Sequence, residues 1–162
     1  MAKVAERAGI PARQPPPRFP VSVKGVVVRD DRVLLLRNER DEWELPGGRL
    51  EPGEDPAGRL AREIEEETGW QAEIGPILDV WQHRIAEGAD ALIVTYGVTV
   101  TTGQPRVLSD EHGEIGLFTA PEAAALRMPE NYKRSIATWF AGKRERPPAE
   151  TGGLSRVDDQ TS

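Results

Sequence analysis

Gly48-Arg49-Leu50-Glu51-Pro52-Gly53-Glu54-Asp55-Pro56-Ala57-Gly58-Arg59-Leu60-Ala61-Arg62-Glu63-Ile64-Glu65-Glu66-Glu67-Thr68-Gly69-Trp70 is the stretch on which the reading of this chain turns. It joins a loop rich in glycine and proline to an acidic segment with helical punctuation. Asp55 is a favourable N-cap, Pro56 suits a first helical position, and Gly69 stops a helix after Thr68. The spacing therefore predicts a helix over 55–68. A helix turns about 100° per residue. Glu63, Glu66 and Glu67 then gather on one side, while Ala57, Leu60, Ala61 and Ile64 gather on an adjacent side able to pack on a sheet. Carboxylates crowded in this way disfavour the fully ionised state, and a divalent cation would offset that. Ligands without sulfur or imidazole favour hard ions, Mg²⁺ or Mn²⁺.

Working outward, Val21–Val28 is a β-branched run that reads as a strand, Arg29–Arg32 as a hairpin turn and Val33–Arg37 as the return strand. Trp43–Pro46 leads into Gly47-Gly48. Beyond the helix, 71–85 reads as one or two strands interrupted near Gly75-Pro76, and 91–101 as their hairpin partner. A short strand at 116–119 and helices at 121–126 and 129–141 complete the order. In the last of these, Tyr132, Ile136, Trp139 and Phe140 share a packing stripe. Strands, helix, strands, helices suit a mixed sheet with helices on both faces.

Gly48, Glu54, Arg62, Glu63, Ile64, Glu66, Glu67 and Gly69 fall on the pattern G-x5-E-x7-R-E-U-x-E-E-x-G-U, where U is bulky and apolar. Trp70 stands where an aliphatic residue is usual. In these positions the chain resembles the Nudix hydrolases, the MutT-like family. A salt-bridged amphipathic helix would account for the alternating Arg and Glu residues, but not for glycines at fixed distances.

The resemblance implies an α/β fold, the Nudix α/β/α sandwich with a mixed β-sheet between helices. It implies a Mg²⁺- or Mn²⁺-dependent hydrolase that cleaves a pyrophosphate bond in a nucleoside diphosphate linked to another moiety: a nucleotide sugar, an ADP-ribose-like compound or a nucleoside triphosphate. It assigns Glu63, Glu66 and Glu67 as metal ligands with the carbonyl of Gly47, and Arg62 as the residue that orients a glutamate. Metal-activated water would attack phosphorus, with a glutamate as base that the motif alone does not single out. Glu111, in a second acidic segment, is the choice for a further ligand or base, with Asp110 and Glu114 as competitors. Arg37 and Arg40 follow the second strand, where guanidinium groups suit a substrate phosphate. Many relatives dimerise, which makes a homodimer an expectation.

At 162 residues the chain holds about one domain. The expected division is a flexible arm at 1–17, the Nudix domain at 18–143 and a disordered tail at 144–162. A net charge of −6 argues against a nucleic-acid polymer as partner and leaves a small nucleotide, which a bound metal can bridge to acidic groups. There is no signal-like segment and no bilayer-length apolar run, so the expected location is the cytoplasm, without a membrane partner. The absence of cysteine excludes thiolate chemistry and the isomerase branch of the fold. Two rivals are a nucleotide-sensing domain without catalysis, which loss of motif glutamates would favour and none is lost, and an RNA-end pyrophosphohydrolase, which the acidic balance disfavours. His83 and His112 lack metal-ligand company, and Trp81 and Tyr96 read as core aromatics before they read as stacking platforms.

Overall fold

The computed structural model describes residues 13–100 and 114–145. The chain forms β1 (Val21–Arg29), β2 (Arg32–Arg37), β3 (Trp43–Glu44), β4 (Gly47–Arg49), α1 (Pro56–Thr68), β5 (Ala72–Ala86), β6 (Ala89–Val100), β7 (Glu114–Phe118), α2 (Ala120–Ala125) and α3 (Glu130–Glu145). The β1–β2 turn puts Asp30 and Asp31 at φ 49° and 59°, a left-handed conformation that a short polar side chain tolerates.

One mixed sheet results. Its main order is β3-β2-β1-β6-β5, with β4 paired to β1 and β7 to β2. β1 and β6 run parallel from Val21↔Leu92 to Val28↔Thr99, and the remaining pairs are antiparallel. Side chains alternate between faces along each strand. Val23, Val27, Leu34, Leu36 and Val98 pack with Leu60, Ile64 and Trp70 on the α1 side. Val26, Val28, Val33, Leu35 and Ile93 pack with Tyr132, Ile136, Trp139 and Phe140 on the α3 side. The expected sandwich with a mixed sheet between helices is therefore present.

Two local features refine the sequence reading. The segment after Trp43 contains two short strands, β3 and β4, of two and three residues. Neither is long enough to carry a period, and only their partners β2 and β1 define them. Of the one or two strands read around Gly75-Pro76, the structure has one, with the interruption taken up as an irregularity. β5 runs through Gly75-Pro76 with a register shift between Ile74 and Ile77, which an edge strand can absorb where proline has no N–H to give. Among the described residues no helix is long and apolar enough to cross a membrane.

Candidate metal and substrate site

The site begins where β1 and β4 pair Lys24 with Gly47 and Val23 with Gly48. Gly47 has φ 146°, and a Cβ there would stand 2.0 Å from the carbonyl oxygen of Val23. Only glycine passes this close. A Cβ on Gly48 would lie 2.9 Å from the carboxyl carbon of Glu63, so that carboxylate fills the space a side chain would need.

The loop between β4 and α1 is tied by Glu54. Its Oε2 accepts from the N–H of Glu51 at 2.9 Å, and its Oε1 accepts from Arg62 at 2.5 Å, with Arg59 3.8 Å away. The Glu51 amide, together with Arg59 and Arg62 and against some desolvation, holds the Glu54 carboxyl below the usual carboxylate range. Asp55 caps α1 by accepting from Gly58 at 2.8 Å, and Gly69 ends it in a left-handed conformation.

α1 buries Leu60, Ile64, Glu67 and Thr68. Glu67 thus continues the apolar stripe, three residues beyond Ile64 and seven beyond Leu60. It is 4% exposed, and its Oε2 has no hydrogen-bond partner. Burial pushes its pKa up to about 8; Glu63 and Glu44 push the same way, while Lys24 and a backbone hydrogen bond from Gly47 oppose them. Glu63 lies beside Gly48 and forms an ion pair with Arg59. Glu66 and Glu65 are exposed. Among the described residues no three acidic or histidine side chains converge on one point.

The family resemblance implies a divalent cation at this corner. A buried carboxylate oxygen without a partner is costly unless something binds it. Here it sits beside a second carboxylate, Glu63, in a corner where the N–H of Gly47 donates to the same carboxyl group. That suits Mg²⁺ or Mn²⁺, which keep several waters and phosphate oxygens and take one or two protein carboxylates. The residues present fit the group.

A cavity of about 430 Å³ is lined by residues of other segments, none of them Gly47, Gly48, Glu63, Glu66 or Glu67. Glu44 lines the cavity, and its charge also acts on Glu67. Trp43, Met128 and Tyr132 supply apolar wall, and Arg40, Arg84, Arg127 and His83 supply cationic or donor groups. The loop that carries Arg40 is fixed by Asn38, whose Oδ1 accepts from the N–H groups of Arg40 at 3.0 Å and Glu42 at 3.1 Å. The carbonyl of Arg127 accepts from the N–H of Trp43 at 2.9 Å, which ties the α2–α3 linker to β3.

Of the residues singled out in the sequence, Gly47, Glu63 and Glu67 come together, Arg62 holds Glu54, and Glu66 is exposed one position before Glu67. Arg40 reaches the cavity wall. Arg37 does not: it pairs with Asp41 and, at 3.2 Å, with Glu114, and lies 5.9 Å over the Trp43 ring. Glu111, Asp110 and His112 lie outside the described residues. Sequence reasoning missed Glu44, Arg84 and Arg127, which come from three separate segments; Tyr132 packs in the core as read from the sequence and also lines the cavity, as does His83, which reads from the sequence as an ordinary surface or hydrogen-bonding residue.

The model of the NUDIX domain matches residues 18–140. A "MutT-like protein" of Streptomyces ambofaciens is 37% identical over 123 residues, 72% of this chain and 74% of its own length. A "putative 8-oxo-dGTP diphosphatase" of Bacillus subtilis is 32% identical over 74% of this chain and 79% of its own. Among solved structures, a Nudix hydrolase from Nitrosomonas europaea superposes with a TM-score of 0.67 at 27% identity, covering 78% of this chain and 91% of that one.

Proposed function

The chain belongs to the Nudix family and is a hydrolase of that family, and from that premise we propose that it cleaves the pyrophosphate bond of a nucleoside diphosphate linked to a further moiety, with Mg²⁺ or Mn²⁺ held by Glu63, Glu66, Glu67 and the carbonyl of Gly47. The observation that carries this reading is the buried, unpartnered carboxylate oxygen of Glu67 beside Glu63 and Gly47. The bound ion would supply charge neutralisation for the diphosphate and a lowered pKa for its water. The protein's own contribution is positional. Gly47 and Gly48 let the main chain and Glu63 approach the ion, Arg62 fixes the loop through Glu54, and Glu67 presents a carboxylate in a desolvated corner where its charge acts at low dielectric.

The cavity takes the part of the substrate that does not react. Trp43 and Tyr132 offer faces for a ring, and Asn38 and Arg40 offer polar groups at its edge. A nucleoside triphosphate is one candidate, supported by the likeness to the B. subtilis protein named for 8-oxo-dGTP. A sugar- or ADP-ribose-linked nucleotide is the other.

The test is hydrolysis by purified protein with Mg²⁺ or Mn²⁺ across a panel of nucleoside triphosphates, nucleotide sugars, ADP-ribose and dinucleoside polyphosphates, with products identified. One class should yield a nucleoside monophosphate and the complementary phosphorylated fragment. Glu66→Gln and Glu67→Gln should each reduce turnover by orders of magnitude. Wild-type turnover in both variants would overturn the metal assignment.

A further inference from the structure

The 430 Å³ cavity is lined by both signs of charge, Glu42 and Glu44 against Arg40, Arg84 and Arg127. The charge of Glu44 also acts on Glu67. Tyr132 lines the same cavity: burial raises its pKa above the usual range, with Glu44 adding to the effect and Arg40 opposing it. The lining also carries three guanidinium groups. Arg40 and Arg127 flank one carboxylate, Glu42, at 3.9 and 3.7 Å, and both are 72% exposed. Those separations exceed hydrogen-bond length, so Glu42 neutralises charge without occupying either donor fork. Arg84 faces the same cavity, 3.3 Å from Asp90 and 75% exposed. The two arginines that flank Glu42 also start from fixed backbone, Arg40 through Asn38 and Arg127 through Trp43. Asp90 accepts a hydrogen bond from Arg84 Nε and offsets its charge, while among the described residues Glu42 alone faces both Arg40 and Arg127, so the excess positive charge lies at that pair.

We propose that this rim, Arg40 with Arg127 and Arg84, is a second anion subsite, and that the preferred substrates carry a phosphoryl group on their non-reacting part, in addition to the diphosphate that is cleaved. The proposal rests on the hydrolase reading above and narrows it from any nucleoside diphosphate derivative to those with a remote phosphate. The chemistry is that of the guanidinium fork, which matches two phosphate oxygens at once and is charged at every working pH. A ligand that bound both sites would place its diphosphate at the acidic corner, where the cation neutralises it, and its remote phosphate at the arginines. The rim would also repel a cationic substituent, which gives the subsite discrimination as well as affinity.

The first arm of the test needs no turnover. In EDTA the acidic corner repels anions, so binding of pyrophosphate to the full chain, followed by calorimetry, reports the rim. Saturable binding that weakens with added salt is expected. Arg40→Ala/Arg127→Ala should weaken it about tenfold or more, while Glu67→Gln should retain it. No saturable binding, or binding unchanged in the double variant, would overturn the subsite. Because both arginines are exposed, the double variant should melt with the wild type, and Arg40→Lys/Arg127→Lys, which keeps charge and removes the fork, should bind at an intermediate strength.

The second arm compares nucleotides that differ by one remote phosphate, coenzyme A against its dephospho form and NADPH against NADH. The phosphorylated member should show the higher kcat/KM through KM, and the double variant should abolish the difference. Equal kcat/KM within both pairs would sink the proposal and leave the hydrolase reading standing. Pyrophosphate binding at the rim with no hydrolysis of any diphosphate would do the reverse.

Discussion

α1 and α3 cover opposite faces of one sheet, and each buries a polar side chain within an apolar stripe. On α3 it is Ser135, 1% exposed, whose hydroxyl meets that of Thr95 at 2.8 Å. On α1 it is Glu67, 4% exposed, with one oxygen that meets no donor. The depth is the same and the outcome is opposite. A satisfied buried pair adds specificity to packing at little net cost. An unsatisfied buried carboxylate weakens the fold, and here it stands where glycines bring the main chain and Glu63 alongside. α3 buries no carboxylate: the orphaned polar atom it carries is the neutral indole Nε1 of Trp139, which is cheaper to leave without a partner than a carboxylate oxygen.

The largest expected effect breaks this contrast at α1. Glu67→Gln should lower hydrolysis roughly a thousandfold, the loss expected when several kcal/mol of metal-borne stabilisation disappear. In EDTA at pH 8 the same variant should melt at or above the wild-type temperature, because it removes a buried charge. Steady-state kinetics and thermal melts check both halves, and a clear drop in melting temperature would assign Glu67 to packing instead.

The next test strikes the α3 face. A Cβ on Gly97 would stand 2.5 Å from Cε3 of Trp139. Gly97→Ala should therefore cost about 3 kcal/mol through overpacking, read from the urea midpoint. Turnover per folded molecule should be unaffected.

A pH series sharpens the contrast without mutation. Glu67 has its pKa raised from 4.5 to about 8 by burial. The folded state then keeps a proton that the unfolded chain releases, so the stabilisation is fully present below about pH 4.5 and is lost as pH rises through about 8. Metal-free protein should lose about 2 kcal/mol across that window from this group, the open side of the site limiting the amount. Denaturant titrations in EDTA should show the fall, and Glu67→Gln should flatten it.

The smallest effect is at Ser135. Ser135→Ala should cost about 1 kcal/mol by leaving Thr95 Oγ1 with only its long 3.4 Å contact to the Asp79 carbonyl. Thr95→Val/Ser135→Ala should recover most of that in the same melts.

Much of α1 was legible in the sequence because caps and period are local: Asp55, Pro56 and Gly69 mark its ends, and Leu60 and Ile64 mark its buried side. The burial of Glu67 was legible too, at three residues from Ile64, but grouping the glutamates by charge hid its place on the apolar stripe. β3 and β4 were not legible, since five residues in two strands carry no period. Nor was the cavity: Asn38–Glu44, His83–Ile85 and Arg127–Tyr132 meet only after β2, β5 and the α2–α3 linker take their places around the sheet. For the same reason Arg37 and Arg40, three residues apart, diverge. Asp41 and Glu114 hold the first, and the loop tied by Asn38 turns the second to the cavity.

The central claim is that the Glu67 carboxyl group, protonated or strained when alone, is the place a divalent ion is held. Calorimetric titration with Mn²⁺ near pH 7, in buffers of different ionisation enthalpy, measures affinity and protons released together. The wild type should bind and release about one proton per ion, and Glu67→Gln should bind much more weakly with no proton released. Equal affinity and equal proton count in the two proteins would contradict the account.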